Sequence, residues 1–253
     1  MKTRRFAIAA GLASLCAGLV TLAGGPLLAE AALHAMTCSS TALPGPGHLN
    51  VCRSQTAVYL NAPTIRQNMP LDCESAALAV ALQTKGLAVT QAWVFAELPK
   101  QTQPAVVSGG RPVSWGDPYA AFVGNVDGSE SNYTGYGVYY PPIVAVAELA
   151  GIAATGRTGW TTSQIELQIQ LGRPVIVWTN YNFGYSRTST WNAWDGRVVP
   201  YTTQEHTVTV VGFNSVAGTV TVIDVGVGLR RTLSTAQFTA AIATFGGMGV
   251  AVG

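Results

Sequence analysis

Hydrophobic positions fall along this chain in two distinct rhythms. Residues 71–86, LDCESAALAVALQTKG, carry Ala76, Leu78, Ala79, Val80 and Leu82. That run is too continuous for a surface helix and predicts a buried one. Asp72 stands where it can cap the N-terminus, and Gly86 stands where the helix should stop. Shorter helical patterns cover 90–98, 143–151, 162–171 and 234–245, the third with a hydroxyl cap and a glycine stop, the last capped by Ser234. Strand signals follow TAVYLNAP from Thr56, the continuously apolar PVIVWTNY, and the alternating segments EHTVTVVGFN and GTVTVIDVG, which a short turn joins. Residues 36–55 are turn-rich. Residues 99–142 are dominated by Gly, Pro, Ser, Tyr and Asn, an irregular stretch of the kind that lines sites. Helices come early and antiparallel strands late, which predicts an α+β fold in one domain over residues 56–253.

Composition changes this picture mainly at the N-terminus. Of the 253 residues, 48% are hydrophobic and only 10% charged, so a membrane is the first question. Lys2, Arg4 and Arg5 precede an apolar stretch from Phe6, then Gly24, Gly25, Pro26 and the small-residue pattern Ala29-Glu30-Ala31. Residues 1–31 thus have the layout of a secretory signal, and predict a secreted or cell-surface protein. An uncleaved anchor is the alternative, since roughly 18 apolar residues just span a bilayer. A turn-rich segment, 32–55, would separate this signal from the domain. The net charge is +2, with three of the basic residues in the signal, and no basic stripe points to nucleic acid.

Beyond the signal three cysteines remain, Cys38, Cys52 and Cys73. Cys38 and Cys52 flank a proline- and glycine-rich loop, and their pairing would staple that segment. Cys73 is left over. A buried, inert thiol is one reading of it. The other is a nucleophile, because the free N–H groups and dipole of a helix N-terminus favour a thiolate. Asp72 and Glu74 push the other way, so a base is needed. His34 lies near the cleavage site and His48 between the paired cysteines, which leaves His206 at the start of EHTVTVVGFN. If Gly212 pairs with Gly218, Asp224 stands directly opposite His206; if Phe213 pairs with Thr219, the two are diagonal neighbours on one face. Gln67, upstream of the helix, can supply one oxyanion donor and the Cys73 backbone N–H another.

The order Gln67, Cys73, His206, Asp224, with cysteine at a helix start and histidine opening an H-x-V-x-V-V-G-F strand, resembles the papain fold. Within it, the sequence is similar to standalone bacterial relatives of the bacteriocin-processing (double-glycine leader) cysteine peptidases. DCESAAL fits their D-C-x-x-A-A-L motif, and GDPYAAFVG (116–124) fits G-D-P-x-x-x-F-V-G. The resemblance implies a nucleophile-bearing helix packed on an antiparallel sheet that carries His206 and Asp224. It also implies peptide-bond hydrolysis through a Cys73 thioester, with no cofactor and a peptide or protein substrate. Glu74 departs from the glycine of many relatives and bears on activity rather than on fold. Alternatives are a catalytically silent module binding peptide or cell-wall material, a cell-wall peptide amidase, and an acyl transferase forming isopeptide bonds.

Trp115, Asp117 and Tyr119 are candidates for a substrate-binding lip, against the plainer reading that they brace the loop. The tyrosines at 133, 136, 139 and 140 resemble a carbohydrate-contacting surface or ordinary loop packing; Trp178, Trp191 and Trp194 shield the cleft or fill the core. No Cys-x-x-Cys or His-Glu-x-x-His spacing points to a metal. A monomer is expected.

Overall fold

A computed structural model describes residues 35–42 and 48–253, with side chains from residue 56 onward. The first described elements are β1 (Ala35–Ala42) and β2 (His48–Gln55), a hairpin where the sequence predicts turns. Its register sets Cys38 opposite Cys52. Their side chains, and with them the expected disulfide, lie outside the described residues, as does the export signal at 1–31.

The domain follows. β3 (Ala57–Tyr59) leads through an extended segment to α1 (Cys73–Thr84) and α2 (Gln91–Glu97). Four short strands, β4 (Lys100–Gln101), β5 (Val106–Ser108), β6 (Arg111–Trp115) and β7 (Phe122–Val123), lie in the region that the sequence leaves irregular. Then come α3 (Tyr140–Leu149), β8 (Ala154–Arg157), α4 (Thr162–Gln170), β9 (Val175–Asn180), β10 (Ser189–Ala193), β11 (Val198–Tyr201), β12 (Glu205–Asn214), β13 (Thr219–Asp224), β14 (Leu229–Ser234), α5 (Thr235–Ala243) and β15 (Gly249–Val252).

Helix ends follow local chemistry, with one exception. Thr90 and Ser234 cap α2 and α5, and Thr161 with Gln164 forms a reciprocal capping box on α4. Gly86 takes φ +84° just past α1, which a residue with a Cβ adopts poorly. Asp72 does not cap α1: its backbone is not extended, and its Oδ1 accepts from the Met69 N–H to close the preceding turn.

The main sheet is antiparallel and seven-stranded, ordered β14-β13-β12-β9-β15-β8, with β3 on the second half of β12. A second sheet, β11-β10-β6-β5, and the pair β4-β7 stand outside it. Helices cover both faces of the main sheet. On one lies α1, buried from Cys73 to Leu82, with Ile176, Trp178, Val211, Ile223, Val250 and Val252 beneath it. On the other, α4 and α5 bring Ile165, Ile169, Phe238 and Ile242 onto Val175, Val177, Val208, Val210, Val220 and Val222. Each such side chain contributes about 1.5–3 kcal/mol on burial. The Thr209 hydroxyl donates to the Ala77 carbonyl at 2.8 Å and pins α1 to the centre of β12.

The β12–β13 register is set by a bulge. Near the turn Asn214 pairs with Thr219 and Gly212 with Thr221; beyond the irregularity Val210 pairs with Val222 and Val208 with Asp224. Extended without a bulge, the turn-proximal register would have put Asp224 opposite Thr209, on the α1 face. The extra residue, Val211, returns Asp224 to the face of His206, diagonal to it, as in the second of the two expected registers. Gly212 makes this possible, because a Cβ there would lie 2.6 Å from Tyr59 Cδ1 and 2.9 Å from the Val58 carbonyl oxygen. Gly212→Ala should therefore destabilise the domain by about 1–3 kcal/mol, the range for overpacking. Gly184→Ala, with open space at its Cβ, should stay within about 0.5 kcal/mol. Urea denaturation of the two variants beside the wild type checks both.

Candidate active site

Two groups of side chains meet at the start of β12. The first is the His206–Asp224 pair, with Nε2 and Oδ1 2.8 Å apart. Asp224 Oδ2 also takes Arg231 Nε at 2.8 Å, and Oδ1 accepts from the Gly226 N–H at 3.1 Å. Burial pushes the Asp224 carboxyl up, but the hydrogen bond and charge of His206, with Arg231, outweigh it and hold the group below its ordinary range. Tyr181 stacks on the imidazole, with ring centroids 4.3 Å apart, and Phe183 stands edge-on. The ring is thus clamped and its tautomer set by an ionised carboxylate. Its other nitrogen, Nδ1, is buried and has no hydrogen-bond partner among the described residues.

The second group surrounds Cys73. Strand alternation turns Glu205, Thr209 and Val211 toward α1, and His206, Val208 and Val210 toward the opposite helices. The thiol accordingly meets Glu205 Oε2 at 3.7 Å and Glu74 Oε2 at 3.5 Å. The backbone N–H of Thr207, next to His206, is also directed at it. Burial pushes the thiol well above its ordinary pKa, and Glu205 and Glu74 add to the shift; the Thr207 N–H offsets only part of it.

These carboxyls are themselves perturbed. Burial raises Glu74 to about 7, against the opposing Val138 N–H, which donates to its Oε1 at 2.6 Å. Burial and then Glu74 raise Glu130 to about 9. Burial, Glu74 and Glu130 raise Glu205 well above the carboxylate range, against the Thr207 hydroxyl on its Oε1. Gly137 gives the cluster room: a Cβ there would fall 2.3 Å from Glu74 Oε1 and 3.5 Å from Glu205 Oε2.

Gln67 lies in a cleft of about 480 Å³ lined also by Arg66, Asn68, Met69, Pro70, Tyr181 and Gly226. A Cβ on Gly226 would come 3.1 Å from His206 Cε1, so the imidazole lies directly under this cleft. The Gln67 amide donates to the carbonyls of Met69 and Pro70, and its oxygen is buried without a partner among the described residues.

Elsewhere the structure sorts the remaining candidates. Trp115 is buried, donates to the Gln103 carbonyl and packs on Trp191 and Tyr136. Asp117 is buried and paired with Arg197 at 3.0 Å. Tyr119 is half-buried beside a separate groove with Pro141, Pro142 and Leu149. Trp178, Trp191, Tyr136 and Tyr139 are core residues, whereas Trp194 is exposed. Glu130, Tyr181, Glu205 and Arg231 are absent from the sequence reading. Glu205 had a signal: it shares the phase of Thr209 and Val211 in EHTVTVVGF, the phase that faces α1.

Stability should follow these shifts with pH. An acid whose folded pKa is raised keeps its proton in the folded state after the unfolded chain has lost it, so stability falls as pH rises. For Glu74 and Glu130 that window runs from about 4.3, the unfolded value, up to about 7 and 9. Asp224 acts oppositely: its contribution is present above about 3.9 and lost as pH falls through its lower folded value. The melting temperature in chelator-treated buffer should therefore peak on the acid side and decline toward pH 9. Glu130→Gln should flatten the upper part of that decline.

With the geometry in place, known proteins can be set beside it. The Peptidase_C39 like family matches residues 59–249. An uncharacterized Bacillus subtilis protein, YvpB, is 33% identical over 144 residues, which is 56% of this chain. The match spans about half, 54%, of that relative's length. A crystal structure of a candidate C39-like peptidase from Bacillus anthracis superposes with TM-score 0.67 at 26% identity, covering 78% of this chain and 97% of the other. A double-glycine motif protease from an AMS/PCAT transporter, in complex with its leader peptide, shares 15% identity at TM-score 0.44, over 79% of this chain and 98% of the other, which is too distant to carry weight. The fold is α+β and papain-like, with the Cys73 helix packed on the antiparallel sheet that holds His206 and Asp224. On the extent of the family match and the order of its elements, the chain belongs to the peptidase C39-like family.

Proposed function

We propose that the protein is an exported cysteine peptidase that hydrolyses peptide bonds through a thioester on Cys73. The observation that carries the reading is the His206–Asp224 pair: one imidazole nitrogen is fixed by a carboxylate at 2.8 Å and the other is left buried and free. Nδ1 is then the nitrogen that takes the thiol proton. In this structure the sulfur rests on Glu74 and Glu205, so the first step is a rotation of the Cys73 side chain away from those carboxyls toward the imidazole. The thiolate attacks the peptide carbonyl, and the developing oxyanion is met by the Cys73 N–H and the Gln67 amide once that amide leaves the Met69 and Pro70 carbonyls. The C–N bond breaks as the imidazolium protonates the amine, and water, deprotonated by His206, releases the acid. Asp224 is the positioning residue throughout. Export rests on the basic, apolar and small-residue sequence of residues 1–31.

A second reading, a silent module that binds peptide or cell-wall material, is favoured by the buried carboxyls on the thiol and the engaged Gln67 amide. Turnover separates the two. On a mixed peptide pool read by mass spectrometry, Cys73→Ala should abolish cleavage. His206→Ala should lower it by about 10²–10⁴-fold, the usual worth of a general base. A wild-type protein that retains peptide or cell wall but cleaves nothing, with retention unchanged in Cys73→Ala, selects the silent module.

Glu74 should set the reactivity of the thiol. With chelator present, Glu74→Gln keeps the oxygen that accepts from Val138 but removes a charge that forms near pH 7. Iodoacetamide labelling of Cys73 at pH 8 should then be about tenfold faster than in the wild type, one pKa unit of relief. Equal rates would show that Glu74 stays protonated.

A further inference from the structure

Cys73, Glu74, Glu130 and Glu205 bring four acidic groups together, and among the described residues no basic side chain pairs with them. The ion pairs among the described residues are Arg197–Asp117, His206–Asp224 and Arg231–Asp224, none of which touches the cluster. Glu74, Glu205 and Cys73 are almost fully buried, and Glu130 is 8% exposed. Buried anionic groups need protons, partners or a cation.

The donor atoms are arranged as ligands would be. The Cys73 sulfur and one oxygen each from Glu74 and Glu205 lie within 4.8 Å of one another. The two sulfur–oxygen separations, 3.5 and 3.7 Å, match the roughly 3.6 Å edge of a tetrahedron with zinc–sulfur and zinc–oxygen bonds of about 2.3 and 2.1 Å. In both carboxyls the outer oxygen is anchored by the protein: Glu74 Oε1 by the Val138 N–H, Glu205 Oε1 by the Thr207 hydroxyl. That leaves Oε2 of each turned to the sulfur, the outer-shell anchoring that metal-ligating carboxylates show. Glu130 supplies an independent sign. Its carboxyl accepts from the Glu205 backbone N–H, yet Oε1 is buried with no partner among the described residues.

We propose that Cys73, Glu74 and Glu205 form a binding site for one divalent cation of the zinc class, with Glu130 as a carboxylate beside it. A thiolate selects a borderline-soft ion over magnesium or calcium, which require six or more oxygen donors. Binding displaces the thiol proton and the protons held by the two carboxyls, which leave to solvent. The site does not rest on the peptidase reading. If that reading holds, the cation occupies the nucleophile and keeps it from Nδ1.

Cobalt(II) is the probe, because a thiolate ligand gives it a sulfur-to-metal charge-transfer band that reports binding without turnover. The full chain, stripped with chelator, should bind one Co²⁺ with that band, and Zn²⁺ should displace it. Cys73→Ser should lose the band. Glu205→Gln should weaken binding by at least about tenfold, no less than the loss of an outer-shell partner, while His206→Asn should keep it. In the unmodified protein, Zn²⁺ should protect Cys73 from iodoacetamide, mapped by peptide mass, and chelator should restore labelling; this arm stands if a variant fails to fold. No band and no zinc protection overturn the proposal. So does a band indifferent to Glu205→Gln, or one lost in His206→Asn, which would assign the metal to a cysteine–histidine pair.

Discussion

Alternation along a single strand governs this molecule. β12 is covered by helices on both faces, so successive residues must serve opposite sides of the sheet. At its first two positions that rule separates two chemistries. Glu205 turns to the helix that bears the thiol, and His206 turns to the strand that bears Asp224. The catalytic-type pair and the acidic cluster are therefore neighbours in sequence without sharing a face, and the Thr207 N–H beside them reaches the sulfur.

The same strand explains why the thiol is not activated by its helix alone. A helix N-terminus offers a thiolate the field of only about half a positive charge. Complete burial beside two carboxyls outweighs that, and the shift is upward. On the proposed function, nucleophilic chemistry would need a change of partner, from carboxyl to imidazole, and Nδ1 is buried with no hydrogen-bond partner among the described residues. Glu74 bears most directly on the thiol, because burial raises its carboxyl to about 7 while it touches the sulfur.

Much of this was legible in sequence. The buried helix, the two alternating strands and the nearness of His206 to Asp224 follow from local pattern, and the second of the two registers considered is the one that holds near Asp224. The bulge at Val211 was not legible, since it answers the close approach of β3 to Gly212, a contact between distant segments. Nor was the loss of Asp72 as the α1 cap, since its carboxyl closes a turn with Met69 instead. The strands β10, β11 and β14 carry weak local signals and exist through their pairing partners. Glu130 and Glu205 join Cys73 only in three dimensions, so no spacing motif announces them.

The most direct measurement is a crystal structure of the protein after reaction with a peptidyl chloromethyl ketone. The account predicts a covalent bond to Cys73 Sγ, the sulfur turned off Glu205 and within hydrogen-bonding reach of His206 Nδ1, and the peptide lying in the cleft of Gln67 and Tyr181. An unmodified sulfur still resting on Glu205 and Glu74, with Nδ1 unpaired in the presence of excess reagent, would contradict it.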